Sequence, residues 1–128
     1  MNLPASDHTS RIYLFWRTLA VVFILALWIL SLWPADELAR LGARLFNDKL
    51  EHFIGYLLLA WVLRQGWPRQ PLWLAWLVAF ACGAGIEFAQ SYTPSRYFSW
   101  WDMLANGAGA FTGVLISVKP WRWLWSAD

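Results

Sequence analysis

Apolar residues fall into four blocks, Tyr13 to Trp33, Leu50 to Leu63, Leu72 to Ala89 and Met103 to Val118, and the segments between them hold most of the charge. Backbone N–H and C=O groups in lipid need partners within their own segment, so blocks of this kind predict helices. The expected fold is all-α: an integral membrane bundle of four transmembrane helices spanning about 13–33, 50–66, 72–91 and 102–118. The second block is the shortest. Its uncharged stretch, Phe53 to Leu63, follows Glu51 and His52, so its first turn is expected to be polar and to face protein. Between the first two blocks, Ala35 to Asn47 sets Leu38, Leu41, Leu45 and Phe46 against Asp36, Glu37, Arg40 and Arg44 at roughly helical spacing. That pattern predicts a short interfacial helix, with an ordered polar loop as the alternative, and either would roof what lies beneath it.

Composition agrees with a membrane class. In 128 residues, 59% are hydrophobic, 19% aromatic and only 14% charged, which is too apolar for a soluble domain of this size. A single membrane domain over 1–128 is expected. The net charge of +2 is small and the basic residues sit at block ends, so nucleic acid is not an expected partner. The run from Thr18 to Trp33 is long and lacks an Ala-x-Ala site, which reads as a retained anchor. Arg17 interrupts this first block, and its stem is expected to lie along the helix while the guanidinium reaches the headgroups. The lone Cys82 offers no disulfide framework or thiolate metal site and reads as a packing residue. No cofactor is expected.

Orientation follows from the cations. Arg11, Arg17, Arg64, Arg69, Lys119 and Arg122 fall on one side, against Arg40, Arg44, Lys49 and Arg96 on the other, which predicts both termini in the cytoplasm. Tryptophans near the boundaries form the expected aromatic belts, with Trp16, Trp67, Trp73, Trp121, Trp123 and Trp125 inside and Trp33, Trp100 and Trp101 outside.

With that topology the second span starts, the third ends and the fourth starts at the outer leaflet. Asp48, His52 and Tyr56 recur every four residues, Glu87 and Gln90 are three apart, and Asp102 and Asn106 are four apart, so each set forms one helical stripe. Together with Arg96, these residues are expected near one face of the bilayer, where polar groups are costly and usually functional. Gly109 and Gly113 continue the fourth stripe as a small-xxx-small pattern, and Gly83 precedes Glu87 by one turn. Close helix approach is their expected role. Gly85 and Gly107 carry no separate prediction.

The run Asp48-Lys49-Leu50-Glu51-His52-Phe53 with Tyr56, then Glu87 with Gln90, then Pro94-Ser95-Arg96 leading to Asp102 and Asn106-Gly107-Ala108-Gly109 with Gly113, resembles the VanZ-like membrane proteins. The resemblance covers roughly Asn47 to Val118 and rests on several separated motifs in order. It implies that Asp48, Lys49, His52, Tyr56, Glu87, Gln90, Arg96, Asp102 and Asn106 occupy signature positions. It also implies a multi-pass protein of the bacterial cytoplasmic (inner) membrane, in a family named for a protein linked to teicoplanin resistance. Ser95 departs from the pattern, since the family often has Gly before the Arg.

Four readings of the cluster are open from the residues. In the first, a binding protein recognises an envelope lipid or a glycopeptide-related ligand through Lys49, Tyr56, Gln90, Arg96, Asp102 and Asn106, Arg96 being suited to bidentate contact with phosphate or carboxylate. In the second, an enzyme acts on a lipid-linked phosphate substrate with Glu87 and His52 as acid and base and Asp48 orienting His52. In the third, His52, Asp48, Glu87 and Asp102 ligate a metal, although one histidine with carboxylates is a weak signature and no metal is assigned. In the fourth, the groups only bond one another: Asp48 and Asp102 cap their helices, His52 pairs with Asp48, and Glu51 is merely interfacial. Membrane lipids are the expected surroundings, and oligomers are compatible with this chain.

Overall fold

The computed structural model describes residues 5–42 and 47–118, and among these the ordered elements are five helices. They are α1 (Ala5–Leu32), α2 (Ala35–Arg40), α3 (Asp48–Gly66), α4 (Leu72–Gln90) and α5 (Trp100–Val118). Helix α1 starts well before its apolar block, because nothing in residues 5–12 breaks the hydrogen-bond ladder. Hydropathy marks where a helix meets an apolar environment, not where its backbone bonding begins. The interfacial segment is indeed helical but short: α2 is six residues and closes at Leu41 and Gly42, the latter with φ at +67°. A glycine adopts that left-handed conformation without strain. Leu45, Phe46 and Arg44, expected to extend this helix, lie outside the described residues, as do Lys119, Arg122, Trp121, Trp123 and Trp125.

The four long helices alternate in direction. Arg17 near the start of α1 bonds the end of α3, while Gln90 at the end of α4 bonds Ser31 at the end of α1. Two of them, over His8–Leu32 and Leu72–Gln90, are long and apolar enough to cross a membrane. Helices α3 and α5 do not reach that mark by composition. The first carries Asp48, Lys49, Glu51 and Arg64, the second Asp102, Asn106, Gly107, Gly109 and Gly113. These two less apolar helices make the most extensive helix pair in the bundle.

Backbone contact explains that pairing. A Cβ on Gly109 would run into the Phe53 carbonyl, and one on Gly113 into the Leu57 carbonyl, so only glycine permits this approach. The glycines without an expected role also lie at contacts. A Cβ on Gly85 would stand 3.1 Å from the Trp28 ring, and one on Gly107 would stand 3.3 Å from Phe80. The Gly107 carbonyl accepts from Trp76 Nε1 at 3.1 Å. Around the seam the core is built of Leu59, Ala60, Ala79, Ala110 and Val114, with Ala20 the buried contribution of α1. Trp16, Leu19, Phe23, Ile24 and Leu27 of α1 pack against this core half-buried, and its other face displays Leu14, Phe15, Val21, Val22, Leu25 and Ile29 outward. A stripe of that size is far more exposed apolar surface than a water-soluble monomer usually tolerates.

Arg17 makes contacts beyond those expected of it. Its Nε donates to the Gly66 carbonyl at 3.0 Å and its guanidinium stands 5.3 Å from the centre of the Trp67 ring. It therefore closes the C-terminus of α3, where a cation offsets the helix dipole, while the residue as a whole stays exposed. Gly66 makes room for it, since a Cβ there would lie 3.2 Å from the arginine's own backbone and stem. Arg64 acts similarly on the following turn, donating to the carbonyls of Trp67, Pro68 and Gln70.

Candidate functional site

The opposite end of the bundle collects the starts of α3 and α5, the ends of α1 and α4, and the loop from Ser91 to Ser99. Local sequence sets each start. Asn47 caps α3, its Oδ1 accepting from the Lys49 N–H at 2.9 Å. Ser99 plays the matching part for α5, its Oγ accepting from the Asp102 N–H at 3.2 Å. The capping role foreseen for Asp48 and Asp102 thus belongs to the residues before them, and both carboxylates are left to make other contacts.

They make them with Lys49 and His52. The Lys49 ammonium pairs with Asp102 across the helices and lies 3.3 Å from Asp48 Oδ2. His52 donates from Nδ1 to Asn106 Oδ1 at 2.8 Å, and its Nε2 faces Asp102 at 3.7 Å and Asp48 at 4.0 Å. The bond to Asn106 fixes the ring and directs Nε2 at the two acids. Asp48, His52 and Asp102 place one ligand atom each within 4.8 Å of one another, so this donor set fits a divalent cation once the Lys49 ammonium withdraws.

Glu87 stands apart from this group. It is 0% exposed, and its Oε2 accepts from the Ser99 N–H at 3.1 Å, which ties α4 to the start of α5. Its Oε1 and the Nδ2 of Asn106 are buried without a hydrogen-bond partner, an acceptor and a donor that only an enclosed partner would satisfy. Gly83 leaves room here: a Cβ on it would lie 2.8 Å from Asn106 Nδ2 and 3.1 Å from the Tyr56 ring. His52 and Glu87, paired in the acid–base reading, are therefore bonded to different partners, Asn106 and Ser99.

Gln90 and Arg96 complete the end from the other side. Gln90 Nε2 donates to the Ser31 carbonyl at 2.8 Å, and Arg96 Nη2 to the Trp33 carbonyl at 2.9 Å. Arg96 Nε is buried without a partner. The turn that delivers the arginine holds Ser95 at φ +76°, where a glycine would sit without strain. The departure noted at Ser95 therefore falls on a backbone position that favours the residue the family often has.

A cavity of about 190 Å³ opens between these groups, lined on one side by Leu27, Leu30 and Leu38 and on the other by Asp48, Glu51, His52, Tyr56, Gln90 and Arg96. Helix α2 forms its roof through Ala35 and Leu38, held by the Trp33 indole donating to Glu37 at 2.9 Å. Glu51, read as merely interfacial, lines this space. Lys49, Glu87, Asp102 and Asn106 do not line it; Glu87, Asp102 and Asn106 are buried, and Lys49 is exposed. The residues that sequence reasoning passed over are Asn47, Ser99, Glu51, Leu27 and Leu30, whereas Leu38 belongs to the segment expected to roof the cluster. Ser99-Trp100-Trp101-Asp102 is a capping-box pattern that would have flagged the serine.

No curated protein and no solved structure matches the chain. A family model described as VanZ/LLP1 matches residues 30–123, a stretch that takes in α2 and all of the polar end as well as the motifs from Asn47 to Val118. The protein belongs to the VanZ/LLP1 family.

Proposed function

We propose that this is a four-span membrane protein whose polar end binds the headgroup of an envelope lipid at the outer face of the bacterial cytoplasmic membrane. The observation that carries the reading is the cavity, because leucines of α1 and α2 meet His52, Gln90 and Arg96 around one space. An amphiphile needs that juxtaposition, with chain against Leu27 and Leu30 and head against the charged wall. In this topology α3 and α5 cross lipid as a pair, their polar faces turned to each other and their termini at the interfaces. Arg17 and Arg64 mark the cytoplasmic end, and both termini are cytoplasmic. Size favours a headgroup over a glycopeptide, since sites for whole drug-sized ligands run to roughly 300–1,000 Å³. A glycopeptide would touch only the rim.

Purified protein should unfold at a higher temperature when polar lipid extract is added to its detergent. A midpoint unmoved by any envelope lipid would sink the proposal. A second reading, an enzyme acting on a lipid-linked phosphate, draws support from His52, whose Nδ1 is fixed by Asn106 and whose Nε2 faces Asp48. In that case His52→Ala abolishes turnover of extracted envelope lipids, whereas in the binding reading neither form turns them over.

A further inference from the structure

The other end of the bundle holds a second and larger cavity, of about 330 Å³, between the end of α3 and the start of α4. Its two ends differ in character. Leu74, Ala75 and Val78 lie within about one turn of α4 and with Leu63 make an apolar wall, whereas Arg64, Trp67 and Gln70 form a rim where α3 gives way to the loop. The wall runs roughly 6 Å along the helix axis, away from that rim. An apolar cavity of about 150 Å³ holds a six-carbon ring, so one of about 330 Å³ takes roughly a dozen carbons. The rim is cationic, and nothing beside it in the chain offsets the charge. Between His52 and Glu87 there is no acid, and the only charged residues are Arg64 and Arg69. Arg64 donates to the carbonyls of Trp67, Pro68 and Gln70, which fix its position without cancelling its charge. Arg69 is exposed on the same loop and makes no ion pair among the described residues.

We infer that this groove holds an anionic phospholipid of the cytoplasmic leaflet, with an acyl chain against Leu74 and Val78 and the phosphodiester at the rim beside Arg64, Arg69 and Gln70. The inference rests on the four-span topology proposed above and not on the headgroup cavity at the opposite end, with which the groove shares no lining residue. In that topology the rim lies at the inner interface and the apolar wall points into the hydrocarbon, the course that an inner-leaflet lipid itself follows. A basic pocket between helices on that side suits an anionic head. A zwitterionic lipid brings its own cation, which the two arginines repel. A second copy of the chain, seated symmetrically, would set the same arginines against each other and leave their charge uncompensated.

The test is native mass spectrometry of the full chain titrated with phosphatidylglycerol and phosphatidylcholine of identical acyl chains. Wild-type protein should bind the glycerol lipid about tenfold more tightly. Arg69→Gln should lower that lipid's affinity about fivefold, the scale of one basic residue at an anionic surface, and leave the choline lipid's unchanged. Val78→Trp fills the groove from its exposed rim and should remove one bound phosphatidylglycerol, with an unchanged unfolding midpoint showing the bundle intact. Equal binding of the two lipids by the wild type overturns the inference. So does a preference that survives both substitutions and is lost in Arg96→Gln, which moves the anionic lipid to the outer cavity and supports the proposed function instead. If Val78→Trp turns a dimer into a monomer without changing lipid binding, the groove seats a second copy of the chain and the inference falls. A preference that Arg69→Gln and Val78→Trp abolish, with no lipid bound in the outer cavity, upholds the inference and sinks the proposed headgroup site.

Discussion

The two ends of the bundle use their charged residues differently. Where α3 ends, Arg17 and Arg64 are bonded to backbone carbonyls: Arg17 satisfies the Gly66 carbonyl that the terminating helix leaves open, and Arg64 holds the turn that follows. Where α3 begins, Lys49, His52, Asp102 and Asn106 are bonded chiefly to one another, side chain to side chain across helices, because Asn47 and Ser99 already cap the backbone. The fold needs the first arrangement. The second exceeds what closing a helix requires, and the cavity it borders has Asp48, Glu51, His52, Gln90 and Arg96 in its wall, whereas the larger cavity of about 330 Å³ at the other end is lined mainly by apolar side chains beside Arg64 and Gln70; that difference in lining is the physical ground for looking for function at the polar end.

The contrast breaks most severely if the seam joining both ends is forced apart. Gly109→Ala places a Cβ against the Phe53 carbonyl and should cost about 3 kcal/mol, read as a lower unfolding midpoint by tryptophan fluorescence in micelles. A wild-type midpoint would show that α3 and α5 stand farther apart than described. Arg17→Met removes a charged bond to the end of α3 and should cost about 2 kcal/mol, with lipid retention unaltered. Asn106→Leu at the other end should cost less, about 1 kcal/mol, yet reduce lipid retention at least tenfold by releasing His52. Should the two substitutions affect retention equally, the division of labour between the ends is wrong. The smallest effect is expected at Ser95→Gly, which relieves the left-handed backbone and should raise stability by about 0.5–1 kcal/mol without changing retention.

Hydropathy was sufficient for the all-helical class, because apolar blocks are a property of the chain itself; for the segment from Ala35 it left helix and loop open, and the helix found there spans only Ala35–Arg40. The polar residues announced themselves for the same reason: Glu87 and Asn106 interrupt apolar surroundings, and burial of such groups demands partners. Which partners they take was not legible. Arg17 has the same side chain whether or not it bonds the end of α3, and the room left by Gly66 is what admits that bond. Likewise Asp48 and Asp102 look like caps until Asn47 and Ser99 are seen to hold the amides. Glu51 was invisible as a wall of the cavity because the space lies between the end of α1, the start of α3 and the loop after α4, a tertiary arrangement without a local pattern.

The glycine contact between α3 and α5 bears on how the chain enters a bilayer during synthesis. Helices α1 and α4 are apolar enough to partition individually, whereas α3 carries a charged first turn and α5 is diluted by glycine and amide. In the proposed topology α3 leaves the ribosome two helices ahead of the partner that shields it. Its stable lodging in the hydrocarbon must therefore wait for α5, so truncation after α4 should leave α3 poorly inserted.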